Sequence, residues 1–195
     1  MLSLFRKAPH KIQAESLYSA VVDASRLAIF YREGGAPDTP EGRFEMLSLH
    51  MFLTLRRLRA ENGGAKVLAD AVQKEFFDNL ENSLREMGVG DLVVGKKLRN
   101  MAEAFYGRAK AYQDGVGASD GAGDGAGDDA VLANAISRNI FSVPMAPTAR
   151  EFSQYVKLAG PALDKIALEN LANAGPDALA AVAADTITGA GERHV

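Results

Sequence analysis

Residues 39–61 read TPEGRFEMLSLHMFLTLRRLRAE and contain the strongest helix signal of the chain. Thr39 can cap a helix, Pro40 suits its first position, and Glu41 lies at the positive end of the helix dipole. Large apolar residues then occupy several faces of the helix: Phe44, Leu47, Leu49, Met51, Phe52, Leu53, Leu55 and Leu58. A helix that is apolar nearly all round is normally surrounded by other elements. The stretch therefore predicts a central helix that ends at the Asn-Gly-Gly of residues 62–64.

Helical periodicity also dominates on both sides of this stretch, and strand alternation is nearly absent. Glycine and proline separate the predicted helices: 10–31, 65–86, one capped by Asp91 that runs to Tyr112, 129–139, 149–159 with Thr148 as a cap, one opened or kinked by Pro161 that runs to about Asn173, and one after Gly175-Pro176-Asp177 that ends near Thr186. We therefore expect an all-α fold, a single-domain helical bundle of about six to eight helices over residues 1–195.

Two segments are expected to lie outside the bundle. Residues 113–129 alternate glycine with alanine and aspartate, and such a segment buries too little apolar surface to offset the entropy of ordering. We predict a flexible Gly/Asp-rich loop there, because the regular nonapeptide of a calcium-binding repeat is missing. Residues 187–195 are predicted to be a disordered tail.

Composition excludes several kinds of chemistry. The 195 residues include no cysteine and three histidines, so thiolate metal sites, disulfides and cysteine nucleophiles are excluded. The sequence also has no GxSxG elbow, no P-loop and no HExxH motif, so an enzyme is not expected. No cofactor is expected either. A net charge of −3 argues against DNA binding, and without an export signal the cytoplasm is the expected location.

Charge is unevenly distributed along the chain. Residues 1–112 hold 17 Lys and Arg against 14 Asp and Glu, whereas residues 113–195 hold 5 against 11. Lys96, Lys97 and Arg99 follow the predicted cap at Asp91, where cations oppose the helix dipole. Helix stability does not explain them, so they are candidates for a partner-facing basic patch; a solvated surface is the alternative. The arginines at 56, 57 and 59 need no such role, because they end a helix.

Aromatic residues and one histidine have two interpretations. His50 lies between Leu49 and Met51, where a hydrogen-bonded core imidazole is expected and a partner contact or haem ligand is the alternative. Phe105, Tyr106 and Tyr112 are typical of a core, although tyrosine is also common at interfaces.

A series of short motifs gives the chain its family resemblance. In order, they are residues 31–35 (YREGG), 37–45 (PDTPEGRFE), Leu49-His50, Met87-Gly88-Val89, Lys96-Lys97, Phe105-Tyr106-Gly107 with Tyr112, Leu132-Ala133 and Arg138-Asn139. Their order and spacing resemble the bacterial branch of the ubiquinol–cytochrome c chaperone family, the assembly factors of respiratory complex III. The resemblance covers roughly residues 15–160, and the insertion at 113–129 departs from the family pattern.

The resemblance implies a non-enzymatic chaperone that binds newly made, hydrophobic cytochrome b. Another hydrophobic membrane-protein client is the alternative to cytochrome b, and the resemblance also implies a small partner protein and the ribosome. The basic residues Lys96, Lys97 and Arg99 could meet ribosomal RNA or an anionic membrane surface at the inner membrane. We expect Phe44, His50 and Phe105 to surround a client groove. The partner-binding candidates are Phe44, His50, Lys96, Lys97, Arg99, Phe105, Tyr106 and Tyr112. A peripheral membrane or ribosome adaptor and a haem-handling protein are the alternatives.

Overall fold

Residues 9–61, 64–117 and 129–188 are described by the computed structural model. They form eight α-helices and one short 3-10 helix, with no strand in these ranges. The helices are α1 (Pro9–Ser25), α2 (Ala28–Arg32), α3 (Pro40–Ala60), α4 (Ala65–Glu86), α5 (Asp91–Val116), α6 (Asp129–Asn139), α7 (Ala149–Asp164) and α8 (Leu171–Ile187), and the 3-10 helix is Leu168–Asn170. The expected all-α bundle is confirmed.

Helix α3 is the centre of the bundle, as its sequence predicts. It contacts α1, α4, α5 and α7. Its buried positions include apolar residues on all sides together with Glu45, Ser48, His50, Thr54 and Arg57. The Thr39 hydroxyl accepts a hydrogen bond of 3.1 Å from the Gly42 amide, which is the expected N-cap. Burying the apolar side chains of this helix removes them from water and stabilises the bundle.

The predicted helix over 10–31 is wrong as one element, because it is broken between α1 and α2. Leu27 has an extended conformation, with φ −55° and ψ 126°. The Ser25 hydroxyl donates to the Val22 carbonyl at 2.7 Å, and the Ser25 carbonyl accepts from the Tyr31 hydroxyl at 2.9 Å. These side-chain bonds replace the helical ones at the break. The turn lets α2 place Phe30 in the core.

Pro161 was expected to open or kink a helix, and Pro176 to separate two helices; the predicted helix boundaries at these prolines are wrong. Pro161 lies inside α7 and Pro176 lies inside α8. Buried residues continue at helical spacing on each side of both prolines, from Phe152 to Leu163 and from Leu171 to Ile187. Pro161 is exposed and Pro176 half-buried, off these stripes. Packing of the buried face therefore outweighs the hydrogen bond that each proline removes.

The predicted loop and tail both begin too early. Residues 113–116 continue α5, Asp129 begins α6, and Ile187 is a buried residue of α8. Gly115 serves close packing, since a Cβ there would lie 2.7 Å from the Cα of Leu132. Residues 118–128 and 189–195 lie outside the described ranges.

Two expected caps have other roles. Asp91 is the first residue of α5, where Gly90 is the cap residue, and its carboxylate pairs with Arg85 at the end of α4. The Thr148 hydroxyl donates to the Gly34 carbonyl at 2.6 Å and makes no cap hydrogen bond within α7. Both side chains join elements that are adjacent in space, which a local sequence rule does not foresee.

Candidate functional site

A groove of about 620 Å³ opens between α1, α3, α4 and α5. We call it the α1–α4 groove. Its floor is apolar, and polar side chains lie mainly at its rim. The apolar lining residues are Tyr18, Val22, Phe44, Leu47, Leu80, Leu84, Met87 and Met101, and the polar ones include Arg26, Asp38, Arg43, Asn79 and Ser83.

The start of α3 fixes one end of this groove. Gly42 approaches the chain so closely that a Cβ would lie 2.0 Å from the Pro37 carbonyl oxygen, so only glycine fits there. At the next residue, Arg43 Nε donates to Asp38 Oδ1 at 2.6 Å across the rim. That hydrogen bond lowers the pKa of the Asp38 carboxyl. At this end, the rim of the groove thus consists of an exposed pair of opposite charges, Arg43 and Asp38.

Phe44 is positioned by a buried ion pair. Arg108 of α5 donates through Nε and Nη2 to both carboxylate oxygens of Glu45, and Glu45 is buried. The Arg108 guanidinium also lies over the Phe44 ring, 5.7 Å from its centroid. Burial raises the pKa of Glu45 while Arg108 opposes that rise. The pair therefore ties α5 to α3 and holds one wall of the groove in place.

Exposed apolar residues continue from the groove to the start of α5. Met87 has 66% of its surface exposed and Leu92 has 100%. Val93, Lys97 and Met101 follow one another at intervals of four residues, so they share the face of α5 that borders the groove.

Two cations point away from this face. Leu92, Lys96 and Arg99 follow one another at spacings of four and three residues, which puts them together on another face of α5. All three side chains are exposed. The basic cluster predicted from the sequence therefore divides between Lys97, on the same side of α5 as the groove residue Met101, and the pair Lys96 and Arg99 on another face.

His50 lies in the core, with 0% of its surface exposed. Its Nδ1 is 2.8 Å from the Met46 carbonyl oxygen, and its Nε2 is 2.8 Å from the Tyr155 hydroxyl. Burial lowers its pKa to about 4, so the ring is neutral. Phe30 packs edge-on at 5.3 Å. Because both ring nitrogens are engaged, this arrangement gives the haem-handling alternative no support.

The three other aromatic candidates differ in their exposure to solvent. Phe105 and Tyr112 are buried, whereas Tyr106 has 48% of its surface exposed. Phe105 packs against Phe76 and Tyr112 against Phe52 as tilted ring pairs, at 5.0 and 5.7 Å between centroids. Burial raises the pKa of Tyr112 well above its usual value.

Of the three residues expected to surround one groove, only Phe44 lines the α1–α4 groove. His50 and Phe105 are buried and do not line it. A partner contact by His50, Phe105 or Tyr112 stays a prediction, and for the fully buried His50 and Tyr112 it would require the core to open.

Several groove residues had no functional signal in the sequence. Tyr18, Leu80 and Leu84 look like ordinary core positions at helical spacing, and Met87 like a loop residue. A groove is a gap between helices, which the periodicity of a single helix does not encode. The ion pair of Glu45 was predictable from the sequence. A carboxylate between Phe44 and Met46 in an apolar helix is buried, and a buried carboxylate needs a cationic partner.

Two further searches of the structure concern metals and membranes. Across residues 9–61, 64–117 and 129–188, no three His, Asp or Glu side chains form a group that could hold a metal ion. In the same ranges, no helix combines the length and the apolarity needed to cross a bilayer.

Comparison with known proteins gives one consistent result. The family model described as ubiquinol-cytochrome C chaperone matches residues 32–180. The ubiquinol-cytochrome-c reductase complex assembly factor 1 of Xenopus laevis is 25% identical over 138 residues, which are 71% of this chain and 64% of the relative. The Homo sapiens protein of the same name is 25% identical over 110 residues, which are 56% of this chain and 37% of the relative. The chain thus spans less than two thirds of either relative.

A solved structure shares the fold. The crystal structure of the Cbp3 homolog from Brucella abortus superimposes with a TM-score of 0.70 at 37% identity, and covers 86% of this chain and 88% of that one. The family match begins later than the motif resemblance, at residue 32, and extends further, through α7 and into α8. This chain belongs to the ubiquinol–cytochrome c chaperone family.

Proposed function

We propose that this protein is a non-enzymatic assembly chaperone of the ubiquinol–cytochrome c reductase complex, and that it binds newly made cytochrome b through the α1–α4 groove. The observation that carries the proposal is an apolar groove of about 620 Å³ with a polar rim in a chain of this family. An apolar helix lying in such a groove is a common mode of peptide recognition.

The lining suits a hydrophobic segment without a fixed sequence. Met87 and Met101 supply flexible thioether side chains on one side of the groove. Methionine adapts to differently shaped apolar partners, which a chaperone requires. Phe44 and Leu47 present an apolar surface from the rigid central helix. Apolar segments of a membrane protein would lose their contact with water here until they meet their final partners.

A charge placed at the groove tests this proposal. We expect Met87→Glu to lower the cytochrome b content of the membranes of the source organism, measured by reduced-minus-oxidised spectroscopy, and to lower the cytochrome b that copurifies with the protein. The matched control is Met145→Glu, because Met145 is also an exposed methionine (80%) outside the helices but does not line the groove. Equal cytochrome b with both variants, at equal protein levels, would overturn the groove assignment.

The start of α5 favours a second role for the same protein, attachment to an anionic membrane surface. Leu92 is fully exposed beside Lys96 and Arg99. An apolar side chain among cations is the combination that binds an anionic bilayer from its surface, at about 1 kcal/mol for each cation. Such attachment would bring the groove to the place where a membrane-protein client is inserted.

Flotation with vesicles tests the membrane role. The double variant Lys96→Glu/Arg99→Glu should float less with phosphatidylcholine vesicles that contain phosphatidylglycerol, and added salt should weaken flotation of the unchanged protein. Lys11→Glu/Lys66→Glu is the control, with two exposed cations on α1 and α4. If both double variants float like the unchanged protein, the membrane role is wrong. Loss of ribosome co-sedimentation without a change in flotation would assign the basic patch to the ribosome instead.

A further inference from the structure

A second pocket, of about 330 Å³, lies between the last turns of α3 and the second half of α5. We call it the α3–α5 pocket. It shares no lining residue with the α1–α4 groove. Its floor is apolar and its rim is cationic and polar. The floor consists of Phe52, Leu55, Ala60, Phe105 and Ala109, and the rim of Arg56, Arg59, Tyr106, Lys110 and Gln113.

The charge of this pocket is unbalanced. Three of its lining residues are cations and none is an acid. Within the described ranges, no carboxylate lies within ion-pair distance of Arg56 or Arg59. Lys110 is the exception, since its Nζ lies 2.7 Å from Asp114 at the outer edge. Two guanidinium groups without counter-charges therefore face one concave surface in a protein whose net charge is −3.

Arg56 has a second unusual property. Its Nε is buried and has no hydrogen-bond partner in the described part of the chain. A buried donor without an acceptor is costly, and a ligand oxygen would relieve that cost. The guanidinium also lies so close to α7 that a Cβ on Gly160 would be 2.8 Å from Nη1. Glycine at that position leaves room for the Arg56 head group.

A short hydrogen-bond chain orients the opposite rim. Arg59 Nη2 donates to Gln73 Oε1 at 2.9 Å, and Gln73 Nε2 donates to the Tyr106 hydroxyl at 2.9 Å. The direction follows from the chemistry, because a guanidinium only donates and so faces the amide oxygen. The Tyr106 hydroxyl is the acceptor in this chain, which leaves its proton for a ligand. Arg59 and Tyr106 are thereby held as two donors beside the apolar floor.

We propose that the α3–α5 pocket binds a small anionic amphiphile, with its oxyanion on Arg56, Arg59 and Tyr106 and its apolar body on the floor. Arginine pairs with carboxylate and phosphate groups through two parallel hydrogen bonds, and the two head groups share this chemistry. The volume is at the lower end of the roughly 300–1,000 Å³ of small-ligand sites, so the ligand has one medium-length chain. A single-chain fatty carboxylate or an alkyl phosphate monoester meets these requirements.

Isothermal titration of the full chain with four probes tests the proposal. Sodium decanoate and decyl phosphate carry both parts of the expected ligand. Inorganic phosphate lacks the chain, and octyl glucoside lacks the charge. We expect decanoate, decyl phosphate or both to bind at concentrations below their micelle formation, and the stronger of the two identifies the head group. Inorganic phosphate and octyl glucoside should bind at least about tenfold more weakly, because each misses one half of the site.

Three variants assign the binding to this pocket. Arg56→Gln/Arg59→Gln should weaken the better probe by about tenfold or more, since both charge-assisted hydrogen bonds to its head group are lost. Gly160→Ala keeps every charge but displaces the Arg56 head group, and should also weaken binding. Arg32→Gln/Arg150→Gln removes two exposed arginines elsewhere and should leave binding unchanged. Thermal melting of each variant separates loss of binding from loss of fold.

Three results would overturn the proposal. The first is no binding of either amphiphile to the unchanged protein. The second is octyl glucoside binding as tightly as decanoate, which would make the site merely apolar. The third is equal weakening by the Arg56/Arg59 and the Arg32/Arg150 double variants, which would make the effect one of net charge. Because this pocket and the groove share no residue, these results leave the proposed client binding untouched.

Discussion

The Tyr155 hydroxyl donates a hydrogen bond of 2.8 Å to Nε2 of His50 in the middle of the bundle. The Met46 carbonyl can only accept, so it takes the proton of Nδ1 and fixes the neutral imidazole with a lone pair on Nε2. This lone pair is what Tyr155 satisfies. The His50 ring thus joins two successive turns of α3 to one turn of α7, through hydrogen bonds to the Met46 carbonyl and the Tyr155 hydroxyl.

Removing the Tyr155 hydroxyl should therefore destabilise the fold. Tyr155→Phe keeps the ring but leaves Nε2 of His50 buried without a partner. We expect the free energy of unfolding to fall by about 1–3 kcal/mol, measured by urea denaturation. Tyr106→Phe is the control, because that hydroxyl is at the surface, and its effect should stay within about 0.5 kcal/mol. Equal stability of the two variants would contradict the role given to the Tyr155–His50 hydrogen bond.

Stability should depend on pH through His50. Its pKa falls from 6.5 to about 4 in the folded protein because burial disfavours the charged ring. Between these values the unfolded chain binds more protons than the folded one, so stability is full above pH 6.5 and declines as pH falls towards 4. The decline attributable to this group is roughly 3 kcal/mol.

The test of this pH dependence compares how steeply the free energy of unfolding changes with pH, and not its absolute value. His50→Gln cannot titrate, so its free energy of unfolding should change less between pH 6.5 and 4 than that of the unchanged protein. His10→Gln replaces an exposed histidine and should preserve the original slope. An unchanged slope in His50→Gln would show that other groups cause the acid sensitivity.

Two glycines in helices should respond to alanine in opposite directions. A Cβ on Gly42 would meet the Pro37 carbonyl oxygen at 2.0 Å, so Gly42→Ala forces the backbone apart and should cost about 1–3 kcal/mol. Gly95 in α5 has open space around it, so Gly95→Ala should stabilise by about 0.5–1 kcal/mol. Thermal melting gives both signs. A stabilising Gly42→Ala would contradict the close approach of the Pro37 carbonyl oxygen to Gly42.

Arg57 should be important for holding α7 on α3. Its Nε and Nη2 donate to the carbonyls of Leu163 and Ile166, each at 3.1 Å, and Nη2 also lies 2.8 Å from Glu61. Arg57 is buried, so Arg57→Met leaves these carbonyls without their donors.

We expect Arg57→Met to lower the free energy of unfolding by about 2–3 kcal/mol. The exposed Arg150 at the start of α7 provides the control, and Arg150→Met should change stability by less than about 0.5 kcal/mol. Denaturant unfolding of the two variants measures this difference directly. If Arg57→Met lowered the free energy of unfolding as little as the control does, Arg57 would not be what holds α7 on α3.

Local signals in the sequence predicted most of the helices but not how they meet. Thr39, Pro40 and the apolar positions after them are enough to define α3, because capping and periodicity act within one helix. The prolines at 161 and 176 led to wrong helix boundaries. Each proline removes a helical hydrogen bond, but tertiary packing on both sides of it outweighs that loss.

The candidate site was less accessible to sequence reasoning. The arginines at 56, 57 and 59 look alike in sequence, as cations at a helix end. Only the fold separates them, by burying Arg57 on the end of α7 and leaving Arg56 and Arg59 on a pocket. The groove likewise depends on gaps between four helices. Such gaps are determined by side chains far apart in the chain, which no local pattern records.

The contact of Gly115 with Leu132 has a practical consequence for work on this protein. It anchors α5 to α6 just inside the two ends of the segment 118–128. The length of a connection between anchored ends costs little free energy, about 0.6 kcal/mol for each doubling. A fluorescent label or an affinity handle grafted into this segment should thus leave the bundle intact.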